Sequence, residues 1–71
     1  MREIYFVVLN HDDLPEIRSH TADQESIEEG FYLDTGTISV TPEMVCETPA
    51  EAEARLQFVK LELGIETPVY H

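Results

Sequence analysis

The feature that most restricts this chain is a helix over residues 48–63 that is apolar on two opposite sides. Its ends are marked by local chemistry. Thr48 suits the N-cap, Pro49 the first helical position, and Glu51 completes a Thr-x-x-Glu capping box worth roughly 1 kcal/mol. Gly64 follows, where a left-handed residue closes a helix. At about 100° per residue, Ala52, Leu56, Val59 and Leu63 fall in one narrow stripe. Ala54, Phe58, Leu61 and Ile65 fall opposite. Glu53, Gln57 and Lys60 separate the stripes on one flank; Glu51, Arg55 and Glu62 separate them on the other. A surface helix of a monomer has one apolar stripe, so something must cover each side here. The bulkier face, with Phe58 and Leu61, is expected on the chain's own sheet. The narrower face, Ala52, Leu56, Val59 and Leu63, is expected at the interface of a homodimer, with the reverse assignment of the two faces left open by the sequence. The alternative is that the C-terminal tail or an acidic loop covers the second face.

Length sharpens the dimer expectation. Seventy-one residues support a single small domain over 1–71, which buries only about 60% of its unfolded surface. Domains of this size are usually stapled by disulfides, a metal or oligomerisation. The single cysteine, Cys46, excludes an internal disulfide and any multi-cysteine zinc pattern, so oligomerisation is the staple still open.

Glu3 to Leu9 reads EIYFVVL, a strand signal bounded by the polar turn Asn10-His11-Asp12-Asp13. Ile4, Phe6 and Val8 share one face, with Tyr5, Val7 and Leu9 on the other. Both faces are apolar, which predicts a central strand covered on both sides. Residues 14–30 are ambiguous. Pro15 to His20 fits an edge strand, and Thr21-Ala22-Asp23-Gln24 a helix start ending at Gly30. Ile27 alone would anchor that helix, so a turn or mobile loop is expected. Phe31 to Val40 predicts a hairpin turning at Asp34-Thr35-Gly36, with Gly36 at positive φ. Met44 to Cys46 fits a last extended piece, and residues 65–71 an extra strand or a strap over the sheet. The expected fold is α+β: a three- or four-stranded antiparallel sheet with one C-terminal helix packed on it.

Motifs for chemistry are sparse. Asp34-Thr35-Gly36-Thr37, preceded by Tyr32-Leu33, resembles the aspartic-protease signature. In that family two Asp-Thr-Gly copies meet across a dimer axis and their carboxylates share a proton. The resemblance would imply an acid hydrolase built on Asp34. The chain is too short to supply that family's strands and flap, and an ordinary hairpin turn accounts for the same residues. His11, Asp12, Asp13 and His20 have ligand chemistry, but not the spacing of a helical zinc motif or a calcium loop. No metal or other cofactor is expected. Cys46 lacks a clear histidine partner and is read as a core or rim residue. No phosphate loop, dinucleotide fingerprint or nucleophile elbow is present, and a non-enzymatic role is expected.

Charge speaks more strongly. Fifteen acids against four bases give a net charge of −11. Such a chain is repelled by nucleic acid and anionic membranes and attracted to basic surfaces. Asp12, Asp13, Glu16, Asp23, Glu25, Glu28, Glu29 and Asp34 lie within 23 residues, opposed only by Arg18. The first seven are expected to form an acidic face that binds a basic protein partner. In size and charge the chain resembles small bacteriophage inhibitors that act as DNA mimics. The plain alternative is a solvated surface that keeps a small assembly module soluble. Met1 reads as a natural start. No leader or membrane-spanning run is recognised, so a cytoplasmic protein with a reduced thiol is expected.

Overall fold

The computed structural model describes residues 1–64. Strands β1 (Arg2–Leu9) and β2 (Pro15–Ala22) form a hairpin, followed by helix α1 (Gln24–Glu29). Strands β3 (Phe31–Leu33) and β4 (Ile38–Val40) form a second hairpin, and helix α2 (Pro49–Leu63) follows. The class is α+β, with antiparallel strands and a long C-terminal helix packed against them. The four strands divide between two two-stranded sheets instead of lying side by side. Residues 14–30 are the reason: β2 forms where an edge strand was one reading, and α1 forms where a turn or mobile loop was expected. Gly30, at φ 84°, then turns the chain back over the first hairpin.

β1 is central, as its two apolar faces require. On one side it pairs with β2 in the register Tyr5↔Ser19 and Val7↔Ile17. On the other, Tyr5 and Cys46 exchange both backbone hydrogen bonds, at 3.0 and 2.7 Å, so residue 46 stands as a one-residue third strand. Ile4, Phe6 and Val8 point into the main core with Ala22, Ile27 and Val40. Phe31, Leu33 and Ile38 of the second hairpin pack against that cluster, and the Phe6 and Phe31 rings meet edge to face at 6.4 Å. Ile27, the only apolar anchor of α1, is buried there, which is how so short a helix is held. Asp23, not Thr21, caps it, accepting from the Ser26 amide at 2.9 Å.

The opposite face of the first hairpin, with Tyr5, Val7 and Ile17, is left for α2, which packs against β1 and β2. Here one assignment is corrected. Ala52 is fully buried and Leu56 and Val59 half-buried within a single chain, while Phe58 and Leu61 are 57% and 76% exposed. The stripe of Ala52, Leu56, Val59 and Leu63, expected at a dimer interface, therefore faces the chain's own strands. Leu63 remains 49% exposed at the far end. Small side chains let a helix approach a sheet closely, and Ala52 in the first turns does so. The bulky face is the open one. Ile65 and the rest of the tail lie outside the described residues.

The turns follow local rules. Asn10 accepts from the amides of Asp12 and Leu14 at 2.8 and 3.1 Å, closing the β1–β2 turn with Asp13 at φ 60°. Asp34, Thr35 and Gly36 all have positive φ in the second hairpin, where a positive angle was foreseen for Gly36. Thr48 accepts from the Glu51 amide at 3.2 Å, while the Glu51 carboxylate accepts from Glu47, one residue before the usual partner in a capping box. Gly64 closes α2 in the left-handed conformation.

Gly30 is needed for both its angle and its lack of a side chain. A Cβ there would lie 3.0 Å from the Val40 carbonyl oxygen. Gly30→Ala should cost at least about 1 kcal/mol, seen as a lower urea midpoint with unchanged slope. An unchanged midpoint would mean that the α1–β3 turn relaxes without strain.

Candidate functional site

The acidic residues do not converge on one surface. Asp12 and Asp13 lie in the β1–β2 turn, with Glu16 at the start of β2. Asp23, Glu25, Glu28 and Glu29 lie at the other end, on α1 and its cap. All seven are exposed. From Glu16 to Asp23 the chain is extended, at about 3.3 Å per residue, which separates the groups by roughly 23 Å. The single face expected from the sequence is thus two patches. A compact loop would have clustered the seven carboxylates; an extended strand does not. Asp23 is also partly committed, since hydrogen bonding to the Ser26 side chain, and then to the Ser26 amide that it caps, holds its carboxyl below the usual range.

Asp34 belongs to neither patch. Its carboxylate accepts from two guanidinium nitrogens of Arg18, at 2.8 and 3.5 Å. That contact joins β2 to the turn between β3 and β4. The two residues line an open cleft of about 400 Å³ with Leu9, His11, Glu16 and Ile38. Hydrogen bonding to Arg18, reinforced by its positive charge, holds the Asp34 carboxyl below its ordinary value. Asp34 raises Arg18 in return. An acid dyad needs a shared proton, and this pairing favours the ionised carboxylate instead. Sequence reasoning missed the pair, since nothing in a 16-residue separation announces it.

The sign of the pH effect follows. A carboxyl depressed by folding contributes stability above its unfolded pKa, and that contribution is lost as pH falls through the native value. Titration of the Asp34 side-chain carbon by NMR should give a midpoint below the ordinary Asp value of about 3.9. Arg18→Gln should move it upward. A midpoint unmoved by that change would remove Arg18 as the cause.

The other ligand-type residues are spread out. His11 is in the β1–β2 turn, 3.6 Å from Asp12, whereas His20 lies towards the far end of β2, stacked on Phe31 at 5.2 Å. Among the described residues, no group of three or more His, Cys, Asp or Glu side chains is placed to hold a metal ion. Cys46 is buried beside β1. Among the described residues, no helix is long and apolar enough to cross a membrane. Comparison with protein-family models, with curated proteins and with solved structures finds no match to this chain.

Proposed function

We propose that this chain is a non-enzymatic, acidic protein-binding module, a regulator or inhibitor that docks on the basic surface of a nucleic-acid-binding partner. The observation that carries the reading is how the charge is displayed. The net charge is −11, no charged side chain among the described residues is buried, and ion pairs engage Arg2 with Glu47 and Arg18 with Asp34. The two acidic patches stand apart by roughly the length of seven base pairs, at about 3.4 Å each. A groove shaped for duplex phosphates can meet both ends of β2. The same charge disfavours direct contact with nucleic acid or anionic lipid.

The test is displacement of a fluorescent duplex from a panel of DNA-binding proteins. The expected result is displacement at low salt that is lost by about 0.5 M salt, where the screening length is a few ångströms. Asp12→Asn with Asp13→Asn and Glu16→Gln should weaken it, as should Glu25, Glu28 and Glu29 changed to Gln. Partner capture that persists at high salt would contradict the reading.

One observation favours a second reading. Phe58 and Leu61 form an open apolar stripe on α2, suited to a small structural or assembly module whose charge serves solubility only. Association through that stripe would survive high salt and be abolished by Leu61→Asp. Under either reading the chain is proposed to act as a homodimer, the remaining staple for a core this small.

A further inference from the structure

The proposed homodimer needs a surface, and the C-terminal half of α2 is patterned for one. Phe58 and Leu61 stand open on its outer face. Arg55 and Glu62 lie on one flank of that stripe, seven residues apart and so nearly in line along the helix. Both are exposed, and neither is in an ion pair among the described residues. Arg55 reaches the Glu43 carbonyl with one nitrogen, at 3.4 Å, and keeps its other donors. The charge also changes sign here. Residues 55–63 hold two bases, Arg55 and Lys60, against one acid, Glu62, in a chain of net charge −11.

We propose that a second copy covers this stripe, with the two α2 helices antiparallel about a twofold axis beside Val59 and Lys60, which rests on the self-association reading above. Phe58 of each copy then packs on the partner's Leu61, and Arg55 stands beside the partner's Glu62. The apolar pair is centred between residues 59 and 60 and the charged pair between 58 and 59, so one axis serves both. A flank that carries both signs about the centre of its apolar stripe is complementary to itself, which a twofold interface requires. Other arrangements lose this match. Parallel helices in register set Glu51 against the partner's Glu51 in line with Phe58. Moving the antiparallel axis one turn toward the N-terminus sets Arg55 against the partner's Arg55, and Leu61 against the partner's Glu51.

The acidic patches stay away from this contact. α2 lies on one face of the first hairpin, and α1, held by Ile27, on the other. Two copies therefore stack as hairpin, helix, helix, hairpin. At roughly 10 Å per layer the two first hairpins, with Asp12, Asp13 and Glu16 at their turns, stand about 30 Å apart. That is about three screening lengths at 0.1 M salt. Glu25, Glu28 and Glu29 lie farther out, on α1. Glu51 and Glu53 fall outside the overlap of the two helices, which covers residues 56–63 of each copy. So short an overlap buries less than the roughly 800 Å² per partner of a standard interface, and the association is weak.

The experiment is sedimentation equilibrium of the full chain and of Leu61→Asp, Arg55→Glu and Glu62→Arg variants, the last two also mixed one to one. The wild type should sediment as single copies at low micromolar concentration and as two copies in the high micromolar range. Leu61→Asp should weaken association about tenfold or more, with an unchanged circular dichroism spectrum. Arg55→Glu and Glu62→Arg each set like charges together twice across the axis, and each alone should weaken association about tenfold. Their mixture restores both pairs with the signs exchanged and should associate at least as tightly as wild type. A wild type of one-copy mass at every concentration overturns the self-association reading and this inference together. A dimer that Leu61→Asp leaves intact, or charge variants whose mixture associates no better than either alone, overturns the α2 pairing and leaves that reading standing.

Discussion

Phe6→Ala is expected to leave this chain at or beyond the edge of folding at 25 °C. Phe6 is fully buried on the inner face of β1 and meets Phe31 edge to face. Among the described residues it is the largest fully buried side chain, and it joins the first hairpin to the second. Truncating a buried phenylalanine costs about 3–5 kcal/mol, because the transfer energy is lost and the cavity only partly collapses. A chain of this length has about 4–11 kcal/mol in total. The loss is therefore comparable with the lower half of the whole stability. A thermal melt followed by circular dichroism should show the midpoint falling by at least about 15 °C, or no transition at all. A midpoint within a few degrees of wild type would mean that the second hairpin does not depend on this ring.

Ala52→Asp should be as damaging, for an electrostatic reason. Ala52 is fully buried where α2 meets the first hairpin. A carboxylate placed there loses its hydration, and no buried polar group among the described residues stands ready to pair with it. An unpaired buried charge costs several kcal/mol. The helix dipole repays up to about 1 kcal/mol near the first turn, too little to offset it. Leu61→Asp makes the same kind of change on the opposite face, which is wet, and should cost less than about 0.5 kcal/mol. Urea unfolding of the two variants should therefore rank Ala52→Asp far below Leu61→Asp. The reverse order would exchange the two faces of α2.

These two outcomes bear on what the sequence makes legible. The ends of α2 were, because Thr48, Glu51 and Gly64 act through contacts within one turn of the helix. So was β1, whose apolar run on both faces can be satisfied only between two layers. The turn at Asp34-Thr35-Gly36 was also legible, since the positive φ of Gly36 follows from glycine itself. The orientation of α2 was not. Both stripes are apolar, and the choice depends on how near the helix axis comes to the sheet, which Ala52 permits and Phe58 does not.

Residues 14–30 were legible only as alternatives, for a related reason. β2 has few apolar side chains, and its strand state comes from pairing with β1. α1 is too short to be stable alone and is held by Ile27 in a core built from distant residues. The division of the acidic residues into two patches follows from the same strand. The Arg18–Asp34 pair depends on the second hairpin folding back over the first, which no local pattern encodes.

Everything proposed for the surface presumes that α2 lies on the first hairpin with its Ala52 side inward and its Phe58 side outward. Methyl and aromatic nuclear Overhauser effects measured on the dilute protein test this most directly. The expected spectrum links the Leu56 and Val59 methyls to residues of β1 and β2, with no such links from the Phe58 ring or the Leu61 methyls. Cross-peaks from Phe58 and Leu61 to those strands, with Leu56 and Val59 silent, would contradict it.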